Sequence, residues 1–321
     1  MKRTWKLGAV MTAVMVMGGV SVAHAEYPEK SVRLVVPFNP GGGTDTLSRL
    51  VAKRLGDGIG QPVVVDNKGG AASMIGTRIV ATSEPDGYTM LAGASGHTIN
   101  PSMYKDPGYD ATKDFVCLTH ATNQHIVLAV PANSPVNTME EFIAYAKENP
   151  GKLSYGSSSF ATGLPMQLLM ALTDIDMTDI PYKGSSPVMT DLIAGRLDAT
   201  FGALATIKPF IDSGQVKALA LGDNKRSKVL PDLPTVAEQG VPEFQAALFN
   251  GFFVPTGTPQ EAIDRLTKEF AVMYTEDDFV KSVTDAGFEV VGTDAATCED
   301  TVKRDLEKWA MVAKRAGIVP Q

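Results

Sequence analysis

Residues Leu34–Leu55 read LVVPFNPGGGTDTLSRLVAKRL. An apolar run leads into Pro40-Gly41-Gly42-Gly43, and an amphipathic segment follows at once. The run predicts a buried strand. Leu47, Leu50, Val51 and Leu55 fall on one face of a helix, with Thr44 placed to cap it. Glycines let backbone N–H groups turn toward one point. A helix start adds unpaired donors and the positive end of the dipole, so the turn suits an anion. A tight strand–helix turn alone would also use these glycines. No G-K-[ST] follows, and Thr44-Asp45-Thr46 breaks the G-x-G-x-x-G pattern, which sets aside the phosphate and dinucleotide loops. Asp45 lies in the first helical turn, where it complements the dipole and is as suited to a structural role as to a ligand contact.

Working outward, the same unit repeats. PVVVDN is a second strand, SMIGTRIVATS a second helix closed by the turn EPDG, and YTMLAGAS a third strand. This βαβαβ order predicts a parallel sheet with helices on its faces. A second series starts near His125 with the strand HIVLAVPA. The helix TMEEFIAYAKENPG follows, with Thr138 as cap, Glu141 completing a capping box and Gly151 after its end. LSYGSS, a helix from about Thr162, MTDIPYKG, PVMTDLIAGRL, DATFGAL and VKALALG complete a second α/β unit. Beyond AALFNGFFVPTGTP the chain is mostly helical, as expected of a tail that returns to the first unit. The fold class is α/β: two lobes, each a mixed sheet flanked by helices, facing each other across a cleft.

The N-terminus carries Lys2, Arg3 and Lys6, an apolar run from Leu7 to Val22, and Ala23-His24-Ala25. This is the pattern of a secretory signal peptide cut after Ala25. No other segment is long and apolar enough to span a membrane. Losing those three basic residues takes the formal charge from −7 to −10 and leaves 296 residues. An acidic exported chain is not built for nucleic acid. The two cysteines, Cys117 and Cys298, lie too far apart in sequence to read as a disulfide scaffold and are expected as separate buried thiols.

Small and hydroxyl residues recur after strands, where open α/β sheets hold ligands. The stretches are NKGGAASMIG (67–76), GASGH (93–97) and YGSSSFATG (155–163). They suit a small anion held by backbone amides and hydroxyls. Catalytic patterns are lacking. GASGH puts His97 where G-x-S-x-G needs its last glycine, and His120 and His125 have no H-E-x-x-H context. DIDMTD (174–179) has Asp179 where a calcium loop needs Gly and Ser185 where it needs Glu, and reads instead as a helix–strand turn.

Five stretches carry a resemblance: YPEKSVRLVVPFNPGGGTD, NKGGAASMIGTRIVATSEPDGYTML, PYKGSSPVMTDLIAGRLDATF, RSKVLPDLPTVAEQG and VPTGTPQEAIDRL, with KWAMVAKRAGI near the end. Together they resemble the periplasmic solute receptors of tripartite tricarboxylate transporters, the Bug proteins. The resemblance implies a two-lobed venus-flytrap receptor without catalysis, metal or cofactor. The expected lobes are 26–128 plus 250–321 and 129–249, after a signal peptide at 1–25. The expected ligand is a di-, tri- or aromatic carboxylate, the expected partners are the transporter's membrane subunits, and the chain is expected to be a monomer.

Carried over by position, the first-lobe contacts are Phe38, Asn39, Gly41, Gly42, Gly43, Thr44 and Asp45, then Ala71, Ala72 and Ser73, then Ser95, Gly96 and His97. Those of the second lobe are Ser157, Ser158, Ser159, Thr162 and Gly163, then Lys183, Gly184 and Ser185, and Gly202. Gly163 falls where the family commonly has a histidine, and Gly202-Ala203 replace a frequent acidic residue. The changes at Gly163 and Gly202-Ala203 shrink or neutralise the cleft and suggest a larger or less cation-bearing ligand than an amino acid. The Trp usual in the family's segment before G..P.GTP is also missing; here the chain reads Leu248-Phe249-Asn250. Two alternatives compete with the transport receptor: a sensory receptor that presents a carboxylate to a membrane kinase, and a secreted hydrolase using Ser95 and His97.

Overall fold

The computed structural model describes residues 27–223, 225–315 and 317–320; the leader expected at 1–25 lies outside them. In chain order the first series is β1 (Val32–Val36), α1 (Gly43–Ile59), β2 (Val63–Asn67), α2 (Met74–Ala81), β3 (Thr89–Ala94), α3 (Gly96–Met103) and β4 (Phe115–Gln124). The second is β5 (Ile126–Pro131), α4 (Met139–Glu148), β6 (Leu153–Ser157), α5 (Phe160–Thr173), β7 (Met177–Pro181), α6 (Ser185–Ile193), β8 (Thr200–Ala203), α7 (Leu204–Asp212) and β9 (Val216–Leu221). The return comprises β10 (Leu248–Pro255), α8 (Gln260–Met273), α9 (Asp277–Asp285), β11 (Glu289–Val290) and α10 (Ala295–Arg315).

The first sheet has the order β11-β4-β10-β3-β1-β2. β1 runs parallel to β2 and β3, as the βαβαβ pattern requires, while β10 enters antiparallel between β3 and β4. In the second series β5 lies antiparallel between β8 and β9, and β6 pairs in parallel with β7. A single parallel bridge, Tyr155 to Ala199, joins these two sets. The first sheet is mixed, the second series combines an antiparallel and a parallel set across that bridge, and helices flank both.

Local chemistry accounts for the elements. Leu47, Val51 and Leu55 form the buried stripe of α1 and pack on Val32, Leu34 and Val36, with Leu50 half-buried beside them. Gly60 ends the helix in a left-handed turn, φ 75°, its N–H donating to the Gly56 carbonyl. Thr138 accepts from the Glu141 N–H at the start of α4. The Glu141 carboxylate reaches one residue further back than a simple capping box, to the Asn137 N–H. The stretch read as a helix–strand turn is one: α5 ends at Thr173, Asp174 adopts φ 54°, and β7 begins at Met177.

Three expectations need correction. Thr44 does not cap α1. The helix starts two residues earlier, at Gly43 with Gly42 at its cap position, and the Thr44 hydroxyl donates to Asn250 Oδ1 at 3.3 Å. Helix α5 starts at Phe160 rather than near Thr162, because the Thr162 hydroxyl accepts the Ser159 N–H and closes the first turn around itself. Cys117 and Cys298 are not separate thiols but a disulfide, their Cα atoms 5.9 Å apart. Sequence distance hid the pairing, since α10 returns across 181 residues to lie against β4.

The chain passes between the two sheets at His125, the one residue separating β4 from β5, and again between β9 and β10. His125 is buried; its Nδ1 is bonded to Asp223 and its Nε2 lies 3.3 Å from Glu289. Helix α10 also spans both cores. Cys298 and Val302 pack with the first, and Trp309 and Val312 with the second.

Candidate functional site

The loops after β1, β2 and β3 open toward the first turn of α5. Between them lies a cavity of about 200 Å³. Its walls come from both chain series: Phe38, Thr44, Ala72, Ser73, Ser95 and Gly96 on one side, Ser159, Phe160 and Ala161 on the other. The ends of β4 and β10 supply the floor through Gln124, Leu248, Phe249 and Asn250, and α3 adds Ile99 and Asn100.

The first loop is held by Asp45. This buried carboxylate accepts from the Gly41 N–H at 2.9 Å, Asn67 Nδ2 at 2.9 Å and Arg49 Nε at 3.0 Å. Burial alone would raise its pKa; the bonds from Arg49, Gly41 and Asn67 hold it below the usual carboxylate range. Asp45 therefore stabilises the loop rather than facing the cavity. Gly41 needs its glycine, with φ 90°. Gly43 does not have a left-handed backbone; a Cβ there would meet the Phe288 ring at 3.3 Å and Gln124 Nε2 at 3.4 Å.

The second loop is strained. Ala71, Ala72 and Ser73 have φ of 45°, 51° and 75°, a left-handed run without a glycine. Such residues each cost about 1–3 kcal/mol and persist where their surroundings over-determine them. Here Asn100 Nδ2 donates to the Ala72 carbonyl at 2.8 Å and the Thr77 hydroxyl to the Ser73 carbonyl at 3.0 Å. The strain exposes Ala72 and leaves Ser73 on the cavity wall. At the third loop, buried Ser95 Oγ accepts the Phe249 N–H at 2.7 Å, tying β3 to β10 and leaving its own hydrogen free to donate into the cavity.

Four of the second-series residues named from sequence converge on the other flank of α5. Ser158, Thr162, Ser185 and Gly202 line a crevice of only about 10 Å³. Ser158 Oγ lies 3.3 Å from Thr162 Oγ1 and 3.5 Å from Ser185 Oγ, so three hydroxyls meet at the N-termini of α5 and α6. The Thr162 hydroxyl also accepts the Ser158 N–H at 2.9 Å.

The remaining residues stand elsewhere. Asn39, Gly41, Gly42, Gly43, Ala71, Lys183 and Gly184 lie outside both linings, all exposed except half-buried Gly184. Ser157 and Gly163 are buried beneath the crevice. His97 is 1 % exposed and sits among aromatic rings, its centroid 5.4 Å from Tyr109, 4.9 Å from Phe115 and 4.6 Å from Phe253. Burial pushes its pKa down to about 4. It packs in the core rather than in the cleft, and no hydrogen bond joins it to Ser95 among the described residues. Sequence reasoning missed Ala94, Ile99, Asn100, Gln124, Phe160, Ala161, Leu248, Phe249 and Asn250 as contacts. Of these Ala94, Phe160 and Ala161 carried a signal, since they lie inside the stretches 93–97 and 155–163 already singled out. Asn250 reaches the site only because β10 pairs with β3, placing it opposite Ala94.

A larger groove of about 740 Å³ lies beside the chain crossing between the sheets and along α10, lined by charges of both signs including Asp223, Glu289, Arg304 and Lys308. None of the ligand contacts carried over by position lines it. The smaller cleft, by contrast, has no charged side chain in its lining.

The sequence model described as the tripartite tricarboxylate transporter family receptor matches residues 47–318. An R. palustris protein solved with adipate is 35% identical, with a TM-score of 0.82 over 92% of this chain and 100% of that one. The periplasmic binding protein BugD is 34% identical, with a TM-score of 0.79 over 92% of this chain and 100% of its own. MatC from Rhodopseudomonas palustris, solved with bound malate, is 28% identical, with a TM-score of 0.77 over 89% and 99%. Among curated relatives, BugT of Bordetella pertussis is 29% identical over 96% of this chain and 98% of its own length.

Proposed function

This chain belongs to the tripartite tricarboxylate transporter receptor family, and from that premise we propose that it captures a small organic carboxylate between its lobes and delivers it to the membrane subunits of such a transporter. The observation that carries this reading is the cleft itself. Loops of both chain series close on one small cavity, offering hydroxyls of Ser73, Ser95 and Ser159 beside helix N-termini. Relatives solved with adipate and with malate support a carboxylate as ligand.

The finer parts of the proposal follow. The site residues are the cavity-lining members of the set named above together with Ser158, Thr162, Ser185 and Gly202. The lobes are 26–128 plus 250–321 and 129–249, a division supported by the separate sheets on either side of His125. The protein acts as a monomer in the periplasm after cleavage behind Ala25, and it binds without catalysis. Ser95 accepts the Phe249 N–H, and His97 is enclosed by aromatic rings, so neither supports a hydrolase. Native mass spectrometry of protein recovered from the periplasm tests these points together. The intact mass should correspond to a chain starting at Glu26, and gently desolvated protein should carry a small acid or gain one on titration with carboxylates. Protein retaining Met1, or refusing every carboxylate, counts against the reading.

A further inference from the structure

Resting on the receptor reading, we propose that this cleft selects carboxylates with an apolar body, a flat ring or a saturated chain, and that Phe160 sets this preference. The walls make the first argument. Phe38, Ile99, Phe160, Leu248 and Phe249 face the cavity, and alanines at 72, 94 and 161 fill the gaps between them. A ligand body between these groups meets carbon.

The polar atoms make the second argument. The Asn250 amide is engaged on both sides, its oxygen accepting from Thr44 and its nitrogen donating to Thr122. Asn100 donates to the Ala72 carbonyl and Ser95 accepts from Phe249. What remains for a ligand are hydroxyls, backbone N–H groups and the Gln124 side-chain amide, all of them neutral. Donors satisfy a carboxylate. An ammonium needs a counter-charge when buried, and the lining contains no Asp or Glu to supply one. A charged ligand amine buried there would lose its water without a counter-charge, and a hydroxyl on the ligand body would be set against the carbon walls and lose water there.

Phe160 is the residue placed to enforce this. It stands at the first position of α5, half-buried, on the opposite wall from Phe38, and so moves with the second lobe. Its ring is braced edge-on against Tyr104, centroids 5.9 Å apart, which fixes where the apolar face is presented.

The test is calorimetric titration of the mature chain with adipate, benzoate, malate and glutamate. Adipate or benzoate is expected to bind at least about tenfold tighter than malate and glutamate, the discrimination reached by a few buried methylenes against unpaired polar groups. Phe160→Asn should reduce the adipate-to-malate ratio by about tenfold, the scale of losing part of a buried ring. Phe160→Leu keeps an apolar side chain and a packed helix start; it should lower benzoate affinity while keeping most of the adipate affinity. Malate or glutamate binding as tightly as adipate and benzoate overturns the inference and leaves the receptor reading standing. Equal weakening of every acid by Phe160→Asn removes Phe160 as the determinant. Failure of adipate and benzoate to bind overturns the inference, and refusal of every carboxylate, a tricarboxylate such as citrate included, overturns the receptor reading as well.

Discussion

Asp45→Asn is the sharpest perturbation of the loop that opens the first lobe. The carboxylate is 3 % exposed and accepts from the Gly41 N–H, Asn67 and Arg49 at 2.9–3.0 Å. Asparagine keeps one oxygen but turns an NH₂ toward groups that are themselves donors. Gly41 and Arg49 are exposed and can recover a partner from water, so the loss is that of roughly one charge-assisted bond, about 1.5–3 kcal/mol. The loop also sets Phe38 and Thr44 on the cavity wall, so affinity falls with stability. The pH dependence has a definite sign. The folded carboxyl lies below its ordinary value, so its stabilisation is complete above a pH of about 4 and disappears as pH falls through the folded value. Urea unfolding at pH 7 and at progressively lower pH measures both effects. The variant should be less stable at pH 7, and the gap should close toward acid. A variant within about 0.5 kcal/mol of wild type at pH 7, with unchanged carboxylate affinity, refutes the reasoning, because that is the range of an uninvolved surface position.

Further outcomes follow from other sites. Burial works against charge on His125, but its bond to Asp223 and the charges of Asp223 and Glu289 raise its pKa above the ordinary value. Its contribution is therefore present below a pH of about 6.5 and lost as pH rises through the folded pKa. Thermal melts of His125→Gln should show a larger deficit at pH 6 than at pH 9; a deficit independent of pH means the hinge histidine is not charged. Replacing both Cys117 and Cys298 by alanine should cost about 2–5 kcal/mol, since the bridge closes a very long loop. Equal denaturation midpoints for oxidised and double-alanine protein would show that the bridge adds nothing. Ser158→Ala with Thr162→Ala should weaken carboxylate binding about tenfold or more, at about 1.5–3 kcal/mol for each bond to a charged acceptor. Thr162 also accepts two backbone N–H groups, so loss of stability with intact affinity would reduce these hydroxyls to helix caps.

Much of this architecture was legible because local patterns sufficed. The period of Leu47, Leu50, Val51 and Leu55 marked α1, and alternating strands and helices marked the parallel β2-β1-β3 core. The loops after strands pointed to the cleft for the same reason. What stayed hidden depends on chain returns. Asn250 and Phe249 join the site through the antiparallel entry of β10, and Cys298 meets Cys117 because α10 folds back. His97 illustrates the converse error. It sits one residue after Gly96 of the cavity wall, yet the helical turn of α3 carries its ring into the core. Family position located the loop, but only the backbone decides which of its side chains faces the cavity.

The central claim is that both lobes grip one ligand at this cleft. Hydrogen–deuterium exchange tests it directly, using whichever of adipate, benzoate, malate and glutamate binds tightest. At saturation, amides of 71–73 and 95–97 in the first lobe and of 158–162 in the second should gain protection together, because each set faces the shared cavity or the crevice beside it. Protection confined to one lobe, or appearing instead along the charged groove at Asp223, Glu289 and Arg304, would contradict the account.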